Sequence, residues 1–479
     1  MNEKIERIKR RRFLQIATVA LLGLGLAQWS AAVAAADTTK PAKPNIIIVM
    51  PDDLGYGDYA CLGNPISHTP VVDAFKKESL LFTRYHASPT CSPSRATLMS
   101  GRHEFMSGVT HTLHQRKNLS LDTVTLPQVL KTVGYTTGIF GKWHLGDEAP
   151  YQPENRGFDE AFIGIHKIDP TIYHNGKLVE NAKGYSTDLF FGQAIQWMNT
   201  KRQEKMPFFA WITPNAAHGP FNGKQGTPND DYKKYLGRTG VTENIAKSYW
   251  MLENIDMNFG LLLDKLKEWG IADNTLVIYL GSDNGGGAGL KIYNAGMKGH
   301  KGTPDQGGTR IPAFFRWPAG NIPAGVECEA LTSQIDILPT LAEIAGVTLT
   351  DDPIKQQIEG RSLMPLLKNP KADWEYRILV HHAGRWEDGQ AVNSKYSRCS
   401  IQDDRFTLVR NEELYDLKAD PGETKNVITQ YPEEVAKLHA VYDEWWTRVQ
   451  PRLVNEDAYK KAGITKDTDK PTKRKKDVE

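Results

Sequence analysis

The sequence predicts an α/β protein on a large, mostly parallel sheet, followed by a smaller C-terminal domain of antiparallel sheet plus helix. Three observations predict it. Apolar runs typical of strands covered on both faces alternate with segments of helical period. Polar and ionisable residues stand directly after those runs. Past Asp373 the pattern shortens into brief strand-like pieces and one amphipathic helix.

Each element follows from its residues. Asn45–Met50 is a continuous β-branched run, as a strand buried on both faces requires, and Phe208–Thr213 and Thr275–Leu280 read the same way. Gly134–Gly141, with three glycines and a shorter apolar stretch, is a fourth strand. Helices are expected over Leu126–Val133, Asp188–Thr200 and Asn244–Trp269, where apolar residues recur at three and four. Arg377–His382 and Phe406–Arg410 read as strands of the small domain, and Pro432–Val449 as its helix. The expected boundaries are 37–372 for the catalytic domain, 373–463 for the C-terminal one and 464–479 for a charged, disordered tail.

Composition narrows the class. A chain of 479 residues, 40% hydrophobic and 24% charged, suits a soluble globular protein. Its 59 Lys+Arg against 57 Asp+Glu leave +2, which offers nothing to a nucleic acid. Residues 1–36 read as a signal peptide. Lys9-Arg10-Arg11-Arg12-Phe13-Leu14-Gln15 precedes an apolar run, Ile16–Trp29, and small residues up to Ala36; the paired arginines suggest the twin-arginine version. The run is shorter than the ~20 residues of a membrane span. An exported, periplasmic or secreted bacterial protein with no stable membrane association is expected. Four cysteines exclude a disulfide scaffold; Cys61, Cys328 and Cys399 read as free thiols, with a Cys328–Cys399 pairing left open.

The chemistry stands at the strand ends, where open α/β sheets bind ligands. Asp52 and Asp53 follow the first strand, His218 the second, Asp283 and Asn284 the third, Lys142 and His144 the fourth. Asp52, Asp53, Asp283 and Asn284 form an all-oxygen set suited to Ca²⁺ or Mg²⁺ rather than zinc. Gly285-Gly286-Gly287 has no following Lys-Ser/Thr, so it is not a P-loop. Cys91 opens an expected helix with Arg95 one turn on, and a helix N-terminus and a cation both favour a thiolate.

Residues 91–102, Cys-Ser-Pro-Ser-Arg-Ala-Thr-Leu-Met-Ser-Gly-Arg, resemble the type I sulfatase signature Cys-x-Pro-Ser-Arg-x-x-Leu-x-x-Gly-Arg at every fixed position. Pro51–Asp58, Gly141–Gly146, Ser282–Gly286, Lys301–Thr303 with Gly307–Pro312, and Glu413–Glu423 resemble further motifs of that family, in family order. One departure is Asp305-Gln306, where many members carry Trp-Glu. The resemblance implies an alkaline-phosphatase-like fold, one Ca²⁺, and oxidation of Cys91 to formylglycine by a maturation enzyme. It implies a sulfuric ester hydrolase in which Asp52, Asp53, Asp283 and Asn284 hold the metal. Arg95 and Lys142 would steady the formylglycine hydrate, His144 would act as base, and His218 and Lys301 would grip the sulfate and protonate the leaving oxygen. A hydrate suits the task because one hydroxyl attacks sulfur and deprotonating the other releases sulfate.

Substrate-binding residues are expected in His-, Arg- and aromatic-rich loops: His111, His114 and Arg116; His166 and His174; His381, His382, Arg385 and Trp386. A sulfated glycan is the expected partner. Two alternatives stay open: a phosphonate or phosphate ester hydrolase on the same scaffold, and a non-catalytic sulfated-glycan-binding protein.

Overall fold

Alternation along one strand sets the layering. In β1 (Asn45–Val49), Ile46 and Ile48 enter one apolar cluster and Ile47 and Val49 enter another, so the sheet is covered on both faces. The same division runs through Phe208–Thr213 and Thr275–Leu280. The computed structural model describes residues 43–349, 354–453 and 455. The expected signal segment and charged tail lie outside them.

The large sheet continues with β2 (Leu80–His86), β3 (Thr136–Gly141), β4 (Glu160–Ile165), β5 (Thr171–His174), β6 (Lys177–Val179), β7 (Phe208–Thr213), β8 (Thr275–Leu280), β9 (Arg310–Arg316), β10 (Val326–Cys328) and β11 (Thr332–Ser333). Its order is β10-β2-β9-β8-β1-β7-β3-β4-β5-β6, with β11 beside β2. The four strands expected from sequence are its central neighbours, β8-β1-β7-β3, and all run parallel. Their carboxyl ends therefore open on one edge. Helices Ser186–Gln203 and Glu243–Glu268 bury residues in one cluster; Leu126–Lys131 and Ile337–Ala345 bury theirs in the other.

The core strands β2 and β9 are absent from the sequence expectations, and for β9 Pro312 shows why. Proline argues against a central strand, yet β9 runs antiparallel between β2 and β8. Its pairing with β2 shifts between Phe82 and Tyr85, so Pro312 falls where the ladder asks nothing of it, while its carbonyl accepts from Gly281 N at 2.8 Å.

The small sheet is antiparallel, β12 (Leu379–His382), β13 (Cys399–Gln402), β14 (Phe406–Val409) and β15 (Glu413–Asp416) in that order, with Pro432–Val449 packed on it. All four cysteines are free thiols, so no Cys328–Cys399 bridge forms.

Candidate active site

Backbone contacts lock the motifs together before any side chain matters. Asp52 and Ala217 anchor the segment after β7 to the segment after β1, Asp52 N donating to Ala216 O at 3.0 Å and Ala217 N to Asp52 O at 2.8 Å. Gly285 packs so tightly on Gly307–Gly308 that a Cβ there would lie 2.0 Å from the Gly307 carbonyl oxygen. Lys301 N donates to Gly286 O at 3.1 Å, and Gly302 N to Pro89 O at 2.8 Å, just ahead of Cys91. The Asp305-Gln306 departure is accommodated by the small sheet: Gln306 Nε2 donates to Gln402 Oε1 at 2.7 Å and Arg410 reaches Asp305 at 3.3 Å.

Cys91 is the first residue of the buried helix Cys91–Ser100, and its Sγ lies 3.5 Å from Asp52 Oδ1 and 3.6 Å from Asp53 Oδ1. Each carboxylate has its own cation. Lys142 Nζ donates to Asp52 at 2.5 Å, Lys301 Nζ to Asp53 at 2.6 Å, and Arg95 Nε and Nη2 to Asp283 at 3.1 and 2.9 Å. His218 Nε2 is 3.4 Å from Asp53 Oδ2. Asn284 Nδ2 donates to Asp53 Oδ1 at 3.1 Å. All four expected metal ligands, with Cys91, Arg95, Lys142, His218 and Lys301, thus form one cluster. Arg95 also donates through Nη1 to Lys142 O and Thr213 Oγ1, so it reaches the site through Asp283 and the backbone.

The electrostatics correct one expectation. Burial first, and then Asp283, push the Cys91 thiol well above its ordinary value; Lys142 opposes this, but Asp52 and Asp53 add to it. The lowering expected from the helix N-terminus and Arg95 is outweighed here by burial and the surrounding carboxylates. Burial would also raise Asp52, but Lys142, then His218, Arg95 and Lys301, hold it well below the usual range. Burial and Asp52 push Asp283 up against Arg95 and Lys142. Asn284 Oδ1 is buried and has no hydrogen-bond partner among the described residues. Three crowded carboxyl groups and an unused amide oxygen fit a hard divalent cation. Ligand atoms of Asp52, Asp53, Cys91 and His218 lie within 4.8 Å of one another.

The cluster floors a cleft of about 860 Å³ that includes Asp52, Cys91, Lys142, His144, His218, Lys301 and Arg385. His144 Nε2 lies 3.1 Å from Thr112 O, while buried Nδ1 has no partner among the described residues. Burial first, then Lys142 and Arg95, hold His144 well below its ordinary value, so the ring is neutral.

The substrate loops divide. His166 and Arg385 line the cleft; His111, His114, Arg116 and His174 are not among its lining residues. His174 pairs with Glu160 at 2.8 Å, and Arg116 stacks over Trp386 at 5.2 Å. Trp386, His381 and His382 are corrections. Trp386 and His382 are buried against Phe105, Trp446 and Tyr442, and His381 stacks on His86, because this small sheet fills its core with rings. Sequence reasoning missed Lys167, whose buried Nζ donates to Gln225 O at 2.8 Å across the segment holding His218, and which burial pushes down to about 8. Its position shortly after β4, on the edge already in view, was the available signal.

Residues 44–347 match the family profile described as Sulfatase. The chain belongs to the sulfatase family. Residues 305–446 also match a second profile, N-sulphoglucosamine sulphohydrolase, C-terminal, which covers the small sheet. N-acetylgalactosamine-6-sulfatase of Rattus norvegicus is 31% identical over 363 residues, covering 68% of this chain and 66% of that relative, just under two thirds of its length. The crystal structure of Ps i-CgsB superposes with a TM-score of 0.74 at 25% identity, over 88% of this chain and 98% of that one. The phosphonate monoester hydrolase of Agrobacterium radiobacter shares the fold at a TM-score of 0.62 and 20% identity, over 84% of this chain and 96% of that one.

Proposed function

We propose that this protein hydrolyses sulfate esters of carbohydrates in the bacterial periplasm or outside the cell, using a formylglycine made from Cys91 by a maturation enzyme and one Ca²⁺. The observation that carries the reading is the convergence on Cys91 of three carboxyl groups, an unpartnered amide oxygen and paired cations at one sheet edge. Family membership and the N-acetylgalactosamine-6-sulfatase relative support the reaction and the substrate class. The layout of residues 1–36 supports export.

When present, the formylglycine hydrate supplies one hydroxyl that attacks sulfur and a second whose loss of a proton frees sulfate. Asp52, Asp53, Asp283 and Asn284 would hold Ca²⁺, which supplies positive charge to the sulfonyl oxygens and the attacking hydroxyl. Lys142 and Lys301 face the cleft and offset negative charge that builds during transfer. Arg95 acts as a positioning residue, fixing Asp283 and the Lys142 backbone. Neutral His144 is ready to accept a proton through its free Nδ1. His218 and Lys301, both on Asp53, grip the sulfate and deliver a proton to the departing oxygen. Replacing His218 with Ala lowers turnover by about 10²-fold or more; an unchanged rate removes it from this role.

Intact-mass spectrometry of protein made with a maturation enzyme tests the nucleophile: conversion lowers the mass at Cys91 by about 18 Da. An active preparation with unmodified Cys91 sinks the mechanism, and an inactive one left unconverted in the presence of a maturation enzyme favours the binding-protein alternative, in which Cys91 is never oxidised. Rates on matched aryl sulfate and aryl phosphonate separate the sulfatase from the phosphonate hydrolase, since the fold is common to both. Metal analysis reading zinc instead of one calcium refutes the cofactor assignment.

A further inference from the structure

The lip of the cleft differs in kind from its floor. Leu113, Ile165 and Tyr173 are 55%, 57% and 43% exposed, yet all three line the cleft that ends at Cys91. They reach it from two sides: Leu113 from the segment before His114, and Ile165 and Tyr173 from the β4–β5–β6 extension of the large sheet.

Register explains how that extension offers an apolar face. Ile163 pairs with Tyr173 across β4–β5, and Tyr173 with Leu178 across β5–β6. Ile165 stands two residues from Ile163, on the same face. Phe162, Ile172 and Val179 occupy the other face and pack into the core. The outer face therefore presents Ile163, Tyr173 and Leu178 in one row with Ile165 beside it. Leu178 is 56% exposed. At strand spacing the row runs about 10 Å outward from the cleft. Ile163 begins it inside the cleft lining, so it is continuous with the reaction site.

A pyranose ring presents an apolar C–H face and a hydroxyl rim, and a tyrosine offers a flat partner for the face and a polar tip for the rim. We propose that the Ile163–Tyr173–Leu178 row, with Ile165 and Leu113, binds sugar rings next to the sulfated one, so that the substrate is a sulfated oligo- or polysaccharide rather than a monosaccharide. The inference rests on the sulfatase reading of the same cleft. Continuity with the cleft lining favours the body of the substrate over a separate protein partner.

The test compares matured wild type, Tyr173→Ala, Leu178→Ser and a distant control, Leu261→Ser, which removes an equally exposed leucine from the helix Glu243–Glu268. Two readouts are taken: retardation in gels containing carrageenan, chondroitin sulfate or heparin, and kcat/KM on 4-nitrophenyl sulfate. Wild type is expected to be retarded by at least one polysaccharide. Tyr173→Ala should weaken that retention by about 10-fold more than it lowers the aryl sulfate rate, Leu178→Ser should do so by a smaller factor, and the control should change neither. Equal losses on both readouts, full retention in both variants, or no retardation of wild type by any of the three overturns the proposal. Retained polysaccharide binding with no hydrolysis of 4-nitrophenyl sulfate by the matured wild type overturns the enzymatic reading instead and leaves the row a glycan site.

Discussion

Histidines of the two sheets have opposite fates. His144 and His218 follow β3 and β7 of the parallel sheet; both line the cleft, and a ring nitrogen of His144 stays free. His381 and His382 close β12 of the antiparallel sheet, where burial pushes both down to about 4, and His382 stacks on Trp446 at 5.5 Å. The residue type is the same but the burial is not: the His218 side chain is 40% exposed, whereas His381 and His382 are 5% and 0% exposed. What separates them is direction. Parallel strands deliver every carboxyl end to one edge, whereas a four-strand meander under a helix has its interior to fill. A histidine at the first place meets the charged groups of the cleft; at the second it meets other rings.

Substitutions can break this contrast. The largest effect is expected from Cys91→Ala, which removes the nucleophile and lowers turnover of an aryl sulfate by about 10⁴-fold or more, with the melting temperature little changed. A rate within tenfold of wild type would dissolve the distinction between the regions. In the small sheet the loss falls on folding. Trp386→Ala should cost about 3–5 kcal/mol of stability, read by urea denaturation, while the folded fraction keeps its kcat. A selective loss of kcat would return Trp386 to the substrate-binding residues.

Glu104 gives the next effect, on stability against pH. Burial pushes its carboxyl up to about 7 although Ser88 and Thr97 donate to it. The folded protein thus holds that proton more tightly than the unfolded chain. Its contribution is complete below about pH 4.5 and is lost as pH rises through about 7, at most about 3 kcal/mol. Glu104→Gln should flatten that fall in a denaturation series from pH 5 to 8; an unchanged slope rejects the assignment. Smallest is His144→Ala, expected to slow turnover by about 10²-fold without moving the urea midpoint, the reverse of Trp386→Ala.

Sequence reading succeeded where local pattern and position agree. Asp52, Asp53, Asp283, Asn284, Lys142 and His218 were legible because each follows a buried apolar run, and four adjacent parallel strands bring them together. It failed for β9, whose Pro312 reads as a breaker until the shifted pairing with β2 is seen. It failed for Trp386 and His382, since nothing local says which ring faces solvent. The lowered thiol expected at Cys91 failed for another reason: Arg95 is near in sequence and in space, but nothing local shows that Asp52, Asp53 and Asp283 gather there too, and burial magnifies their field.

The sequence by itself determined the strand–helix alternation, the family and the set of chemical groups, because hydrophobic period and motif spacing are local properties. Only the tertiary structure decided which cation serves which carboxylate, that Arg95 acts through Asp283, and that the cleft has a charged floor and an apolar lip. Those depend on strand order and cross-strand register, which join residues more than two hundred positions apart, as Lys301 meets Asp53, and no window along the chain contains both partners.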